Sequence, residues 1–199
     1  ASGQQTTAVL DASGETPRRT ASILMCDKEE IGSMGATGMQ SSFFENTVAE
    51  LYACTKDYSE LGLRRTLANS FMLSSDVSAG FDPNFAGAFE KKNTAILGRG
   101  VCFNKYTGPR GKSGSSDANA EYMAHLRAIL DADDVSFQTA ELGRVDLGGG
   151  GTIAYMCAKY GMNVIDSGVA VLSMHAPYEL ISKVDLYEAH RGFSAFNRY

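Results

Sequence analysis

The chain has 199 residues, of which 44% are hydrophobic and 21% are charged, and this balance indicates one globular domain rather than a disordered or fibrous protein. A net charge of −5 argues against a nucleic-acid partner, which would need clustered lysines and arginines. The sequence contains neither an apolar run of membrane-spanning length nor the basic start of a signal peptide. We therefore expect a soluble protein with no nucleic-acid or membrane partner.

The cysteines of the chain lie in apolar or helical stretches without metal-binding or CxxC spacing. They are Cys26, Cys54, Cys102 and Cys157. This usage is typical of buried thiols in a reducing compartment. We therefore expect a cytoplasmic protein.

Apolar runs alternate with helical periodicity along the first half of the chain. Residues 20–26 predict a buried strand, and residues 43–58 predict an amphipathic helix. A second strand is predicted over 70–75 and ends at Asp76. Residues 94–106 predict a strand pair or one bent strand, and a basic loop rich in glycine and serine follows.

The second half continues this alternation. A helix capped by Ser116 or Asp117 precedes a strand over 135–140. A glycine loop then leads to a short helix, to a strand at 163–166, and to a last strand that reaches His175 before a final helix. The side chains predicted to face inward from the first two helices are Phe44, Val48, Leu51, Tyr52, Tyr122, Leu126 and Ile129 or Leu130. The pattern predicts a three-layer α/β/α fold with a largely parallel sheet.

Acidic residues and a histidine follow the predicted strands at their carboxyl ends, where ligands gather in such sheets. Glu29 and Glu30 follow the first strand, Asp76 follows the next, and His175 follows the last. Carboxylates and an imidazole are the ligands that zinc, manganese or cobalt accept. Adjacent glutamates point in different directions from an extended backbone, so one can bind a metal while its neighbour takes a proton from water.

Each of these residues also has an ordinary interpretation. Adjacent glutamates are usually a solvated surface, Asp76 can cap a turn, and a single histidine is more often structural than a ligand. The glycine run at 148–151 lacks the phosphate-binding patterns, and we expect Gly149 and Gly150 to let backbone approach a substrate. Lys105 either belongs to a solvated loop or anchors a substrate carboxylate.

Five segments together resemble the M18 family of metalloaminopeptidases, the aspartyl aminopeptidases. They are DKEEIGSMGATGM, SSDVSAGFDPNF, NKYTGPRGKSGSSDANAEY, GRVDLGGGGTIA and VLSMHAPYELISKVDLYEA, and they extend over nearly the whole chain. The resemblance implies a zinc-peptidase-like fold. It also implies that residues 1–199 are the C-terminal portion of the catalytic domain, without its N-terminal strands and its inserted dimerisation domain.

The same resemblance implies a role for each candidate site residue. Glu29 would be the general base, and Glu30, Asp76 and His175 would be metal ligands at a centre that holds two zinc ions, with cobalt or manganese as alternatives. The implied function is the removal of N-terminal residues from peptides. The implied partners are a peptide substrate and further copies of the protein in a large hollow homo-oligomer.

Two features depart from the family pattern. The family uses a further histidine and a metal-bridging aspartate upstream of the double glutamate, and Asp11 is the only nearby candidate for the aspartate. We therefore expect the chain to be a fragment that is inactive on its own. Many members also carry histidines in the stretch that matches 79–82, where this chain has none, so a preference for acidic or neutral N-terminal residues stays open. The alternatives are an M42-like aminopeptidase and a non-catalytic assembly fragment.

Overall fold

The computed structural model describes residues 17–55, 57–144, 146–147 and 149–199. Within these ranges a central sheet carries helices on both faces. The strands are β1 (Phe71–Ala79), β2 (Val101–Asn104), β3 (Tyr106–Thr107), β4 (Ser116–Asp117), β5 (Phe137–Thr139), β6 (Asn163–Leu172) and β7 (Leu180–Ile181). The α-helices are α1 (Phe43–Thr55), α2 (Glu60–Ala68), α3 (Ala120–Ala132), α4 (Ala154–Ala158) and α5 (Lys183–Arg198). Short 3₁₀ helices span Glu29–Ile31, Pro83–Ala88 and Pro109–Gly111.

The described strands of the central sheet follow the order β1-β6-β2-β5, and β7 pairs with the end of β6. The longest ladder is the parallel pair of β1 and β6, which runs from Phe71 opposite Asn163 to Ala79 opposite Val171. Strands β2 and β5 are also parallel, whereas β2 and β7 run antiparallel to β6. Strands β3 and β4 form a separate hairpin. The predicted α/β fold with a mainly parallel central sheet is therefore confirmed.

Apolar side chains cover both faces of this sheet because neighbouring residues of a strand point to opposite sides. Ile165 faces the cluster formed with α3 and α5, and Val164 faces the cluster formed with α4. The first cluster includes Val101, Phe103, Tyr122, Leu126, Leu130, Val135 and Ala189. The second includes Met39, Ala154, Met156 and Cys157, with Phe44 and Met72 packed against it. Helices on two faces make the three layers that the sequence predicts.

Helix α3 confirms the predicted inward face but begins later than predicted. Its buried residues are Tyr122, Leu126, Ile129 and Leu130. Asn119 caps the helix, because its side chain accepts a hydrogen bond from Tyr122 N at 2.8 Å. The predicted caps, Ser116 and Asp117, pair with Thr107 and Tyr106 in the β3–β4 hairpin, which delays the start of the helix.

Two predictions for the N-terminal part were wrong. Residues 20–26 form no strand, and Ile23 and Met25 are exposed, because no described strand supplies a hydrogen-bond ladder to them. Helix α1 ends at Thr55 rather than at residue 58, and Leu51 on its predicted inner face is exposed.

Both central strands are longer than predicted, and this moves two site residues relative to the strand ends. Strand β1 continues to Ala79, so Asp76 lies inside it rather than after it. Strand β6 replaces the two strands predicted at 163–166 and before His175 with a single strand, which ends at Leu172, short of His175. The two strands pair over nine residues. Each strand supplies hydrogen-bond partners to the other, so both continue further than predicted. Residues 94–106 contain two strands, β2 and the start of β3.

The four cysteines are free thiols in this structure. Cys102 and Cys157 are buried and Cys26 is half-buried, whereas Cys54 on α1 is exposed, contrary to prediction. None of the helices in the described ranges combines the length and apolar character needed to cross a membrane.

Candidate functional site

The double glutamate lies in a 3₁₀ turn, not at the end of an extended strand. Lys28 and Gly32 flank Glu29–Ile31 with left-handed φ angles of 63° and 79°. Successive side chains of a 3₁₀ helix point about 120° apart, so the turn itself separates the two carboxyl groups. Glu29 is half-buried, whereas 73% of the Glu30 side chain is exposed. The two carboxyl groups therefore point in different directions, as predicted, but the cause is the 3₁₀ turn and not an extended backbone.

Backbone and side-chain hydrogen bonds hold this turn in place. Gly32 N donates to Glu29 O at 2.9 Å, and Ser33 N donates to Lys28 O at 2.8 Å. Gln40 Nε2 donates to Gly32 O at 2.7 Å from the following loop. These bonds fix the turn that presents the two carboxyl groups.

His175 reaches the turn from the other end of the chain. It follows β6 in a loop with a left-handed φ of 67°, and its backbone N donates to Glu179 Oε1 at 2.5 Å. Its Nε2 lies 3.3 Å from Glu30 Oε1, and both side chains are largely exposed. The structure therefore brings these two predicted metal ligands into direct contact.

Asp76 lies on β1 opposite Gly168 of β6. Its carboxyl group is exposed, and its Oδ1 accepts a hydrogen bond from Val77 N at 2.7 Å. A Cβ atom at position 168 would lie 1.7 Å from Asp76 O. Only glycine lets β6 approach the backbone of Asp76 this closely.

Electrostatics connect the four predicted residues. Burial is the main cause that raises the pKa of Glu29, and the charges of Asp76 and Glu30 raise it further, while His175 lowers it. Glu29 therefore lies within electrostatic reach of all three predicted ligands. A carboxylate with a raised pKa is a stronger proton acceptor, which suits a general base.

The donor types at this site fit zinc, which binds carboxylate oxygen and imidazole nitrogen. In the described part of the chain, however, no group of three or more His, Cys, Asp or Glu side chains is arranged to hold a metal ion. Glu30 and His175 supply a pair of donors, and a complete coordination shell needs more. Asp11, the candidate bridging carboxylate, lies outside the described residues.

The predicted substrate-binding residues lie around the β3–β4 hairpin. Lys105 Nζ forms an ion pair with Asp117 Oδ1, so its charge is balanced within the chain. Residues 149–151, which we call the glycine segment, contact the hairpin where Gly150 O accepts a hydrogen bond from Gly108 N at 2.9 Å. Gly149 has a φ of +86°, and a Cβ atom there would lie 2.8 Å from Gly108 O. The glycines therefore serve a close contact between backbones.

Sequence reasoning missed a buried polar group beside the hairpin. Asp166 of β6 accepts a hydrogen bond from Thr107 Oγ1 at 3.1 Å, and the residue is only 3% exposed. A signal was present in the sequence, because Asp166 is the one charged residue within the run 163–172. We instead expected the strand that begins at residue 163 to end at Asp166.

Comparison with known proteins agrees with the geometry. The family profile described as Aminopeptidase I zinc metalloprotease (M18) matches residues 4–197. The chain belongs to the M18 peptidase family. This confirms the M18 resemblance over the M42-like alternative.

Individual relatives define how much of an M18 protein the chain represents. A probable M18 family aminopeptidase 1 from Clostridium acetobutylicum is 63% identical over 179 residues, which are 90% of this chain and 38% of the relative. The M18 aminopeptidase structure from Thermotoga maritima is 38% identical with a TM-score of 0.91, over 99% of this chain and 44% of that one. The mApe1 dodecamer of S. cerevisiae shares the fold at 21% identity and a TM-score of 0.76, over 98% and 42%. The chain thus spans about two-fifths of the length of these relatives.

Proposed function

We propose that the protein is a metal-dependent aminopeptidase that removes N-terminal residues from peptides through a two-metal centre. The observation that carries the proposal is the meeting of Glu30 with His175 beside the half-buried Glu29. Membership of a zinc metalloprotease family supports it, as do relatives that are named aminopeptidases.

Glu30, His175 and Asp76 are the residues that would hold the metal. Zinc, when bound, supplies a Lewis acid that polarises the scissile carbonyl and acidifies water. Cobalt or manganese would accept the same oxygen and nitrogen donors. The described residues provide part of the ligand set, so further donors have to complete a two-zinc centre.

Glu29 would move the proton in this reaction. Its turn points it away from Glu30, and its raised pKa favours uptake of a proton from the attacking water and transfer to the leaving amine. The backbone of Gly149 and Gly150 would bind the peptide. Lys105 would reach an acidic substrate side chain only by giving up its ion pair with Asp117.

We also propose a cytoplasmic homo-oligomer that forms a large hollow assembly. Support comes from the dodecameric yeast homologue and from exposed apolar side chains on β7, on α5 and just before β7. They include Tyr178, Leu180, Val184 and Tyr187. The same surface favours the second candidate function, an assembly role without catalysis.

The substitution Glu29→Gln in the full-length protein tests the catalytic proposal. We expect it to lower the rate of aminoacyl-anilide hydrolysis by about 10²- to 10⁴-fold, because it removes the proton acceptor. Zinc content, measured by elemental analysis, should stay unchanged. In the matched variant Glu30→Ala, the zinc content should fall together with the rate.

Turnover of Glu29→Gln close to that of the unmodified protein would show that Glu29 is not the base. A full-length protein that forms defined oligomers by light scattering but hydrolyses no anilide, even with added zinc, would favour the assembly role. A panel that includes leucyl and aspartyl anilides would decide the preference for neutral or acidic residues.

A further inference from the structure

Asp166 is a buried carboxyl group inside the otherwise uncharged strand β6. In the parallel ladder it lies opposite Ser74, and Gly168 lies opposite Asp76. Register partners in parallel strands point to the same face, and residues two apart on one strand share a face about 7 Å apart. Asp166 therefore lies on the face of the sheet that carries Asp76. Its register partner Ser74 is two residues further than Asp76 from the carboxyl end of β1.

Hydroxyl groups stabilise the ionised form of this carboxyl group. Thr107 Oγ1 donates to Oδ2 at 3.1 Å, and the hydroxyls of Thr152 and Ser74 are close enough to favour the charge. Burial outweighs them and raises the pKa of Asp166 to about 6, and its Oδ1 is buried with no hydrogen-bond partner among the described residues. At neutral pH the ionised group therefore costs folding free energy that an uncharged residue would avoid.

Two of the hydroxyl groups near Asp166, those of Thr107 and Thr152, belong to chain segments that also contact each other. Thr107 ends β3, and the next residue, Gly108, donates its N–H to Gly150 O at 2.9 Å. Thr152 follows the glycine segment, and its Oγ1 accepts a hydrogen bond from Ala154 N at the start of α4. Asp166 thus links the hairpin and the glycine segment to the central strand of the site.

We propose that Asp166 is a positioning residue for the peptide substrate. Its hydrogen bond with Thr107 and the adjacent bond from Gly108 N to Gly150 O hold the glycine segment at a fixed distance from the face of the sheet that carries Asp76. The backbone of Gly149 and Gly150 then meets the peptide in one position relative to the catalytic turn. The inference rests on the proposed aminopeptidase function, and it names a residue outside the metal and proton-transfer machinery.

The test is Asp166→Asn in the full-length protein at pH 8, where the carboxyl group is ionised. An amide keeps the shape, but it removes the negative charge and leaves one acceptor oxygen in place of two, so the hydrogen bond from Thr107 is weakened. We expect KM for an aminoacyl-anilide to rise by about tenfold, with kcat changed less than about twofold and zinc content unchanged. Hydrogen exchange of segments 106–112 and 149–154 should become faster, while exchange of β1 stays the same.

Ser167→Ala is the matched control. Ser167 is the next residue on β6, it is also buried, its Oγ has no hydrogen-bond partner among the described residues, and it points to the opposite face. Its removal should change neither KM nor the exchange of the two segments. Thr107→Val removes the donor of the same hydrogen bond and should reproduce the rise in KM. This variant replaces Asp166→Asn as the test if Asp166→Asn does not fold.

Unchanged KM and unchanged exchange in both variants would overturn the proposal. Faster exchange that includes β1, or a loss of zinc in proportion to activity, would also overturn it, because Asp166 would then be a general structural residue. If the unmodified protein hydrolyses no anilide, the proposed function fails instead. The exchange experiment would still decide whether Asp166 holds the two loops.

Discussion

The candidate site has two acidic regions with opposite environments. At the exposed region, Glu30 meets His175 in a contact that leaves 73% and 68% of the two side chains open to solvent. At the buried region, Asp166 is 3% exposed and is surrounded by hydroxyl groups from β1, the β3–β4 hairpin and the residue after the glycine segment. Both regions contain an acidic side chain, but Glu30 lies in a 3₁₀ turn and Asp166 lies inside strand β6.

The difference follows from the cost of removing charge from water. An exposed carboxylate costs little to keep ionised and remains available to a metal ion, so its neighbours do not have to be arranged around it. A buried carboxylate needs donors, and these have to come from several elements at once. The exposed region is therefore suited to binding, and the buried region is suited to fixing the positions of loops.

Gly168→Ala should give the largest effect, because it disturbs the contact between β1 and β6, the two strands that carry Asp76 and Asp166. The added Cβ would lie 1.7 Å from Asp76 O, so β1 and β6 would have to separate. We expect the free energy of unfolding of the full-length protein to fall by about 3 kcal/mol or more, measured by urea unfolding. Zinc binding should weaken with it.

Gly87→Ala is the control for that experiment, because a Cβ atom there would meet nothing within 4 Å. Its unfolding free energy should stay within about 0.5 kcal/mol of the unmodified protein. Equal effects of the two substitutions would show that the close approach at Gly168 does not determine stability.

Much of the layered fold was predictable because its signals are local. The helical spacing of Tyr122, Leu126 and Leu130 places them on one face, and the structure buries all three against the sheet. The apolar run that contains Val164 and Ile165 predicts a buried strand for the same reason. These patterns depend on neighbours in sequence, so the chain alone reveals them.

Strand ends and pairings were less predictable because they depend on distant partners. Asp76 lies inside β1 because β6 continues beside it, and residues 20–26 form no strand because they lack a described neighbour. The site residues were recognised by chemical type, but the contact of Glu30 with His175 needed the fold. Asp166 was missed because its burial and its hydrogen bond with Thr107, which lies in another element, arise only in the fold.

The pH dependence of stability should separate the buried region from the exposed one. Burial raises the pKa of Asp166 from 3.8 to about 6, so the folded state holds this proton more tightly than the unfolded state. The stability that results is present below about pH 4 and is lost as the pH rises through 6. The free energy of unfolding of Asp166→Asn, relative to that of the unmodified protein, should therefore rise by about 2 kcal/mol from pH 4 to pH 7. Urea unfolding at each pH measures this difference.

Ser74, Thr107, Thr152 and Asp76 are the groups that act on Asp166, and only Asp76 among them is acidic. The variant Asp76→Asn should therefore keep most of the pH dependence that Asp166→Asn removes. A stability difference between Asp166→Asn and the unmodified protein that stays constant from pH 4 to pH 7 would contradict a raised pKa at Asp166.

The exposed region should show the smallest effect on stability. With metal removed by a chelator, Glu30→Ala and His175→Ala should each change the free energy of unfolding by no more than about 0.5 kcal/mol, because exposed ion pairs contribute little. Added zinc should stabilise the unmodified protein more than either variant, since ligand binding to the folded state adds to its stability. Glu60→Ala removes a comparably exposed pair with Arg64 and should leave the zinc effect intact. A loss of several kcal/mol in the metal-free variants would instead mean that Glu30 and His175 hold the loops together, and the exposed region would then resemble the buried one.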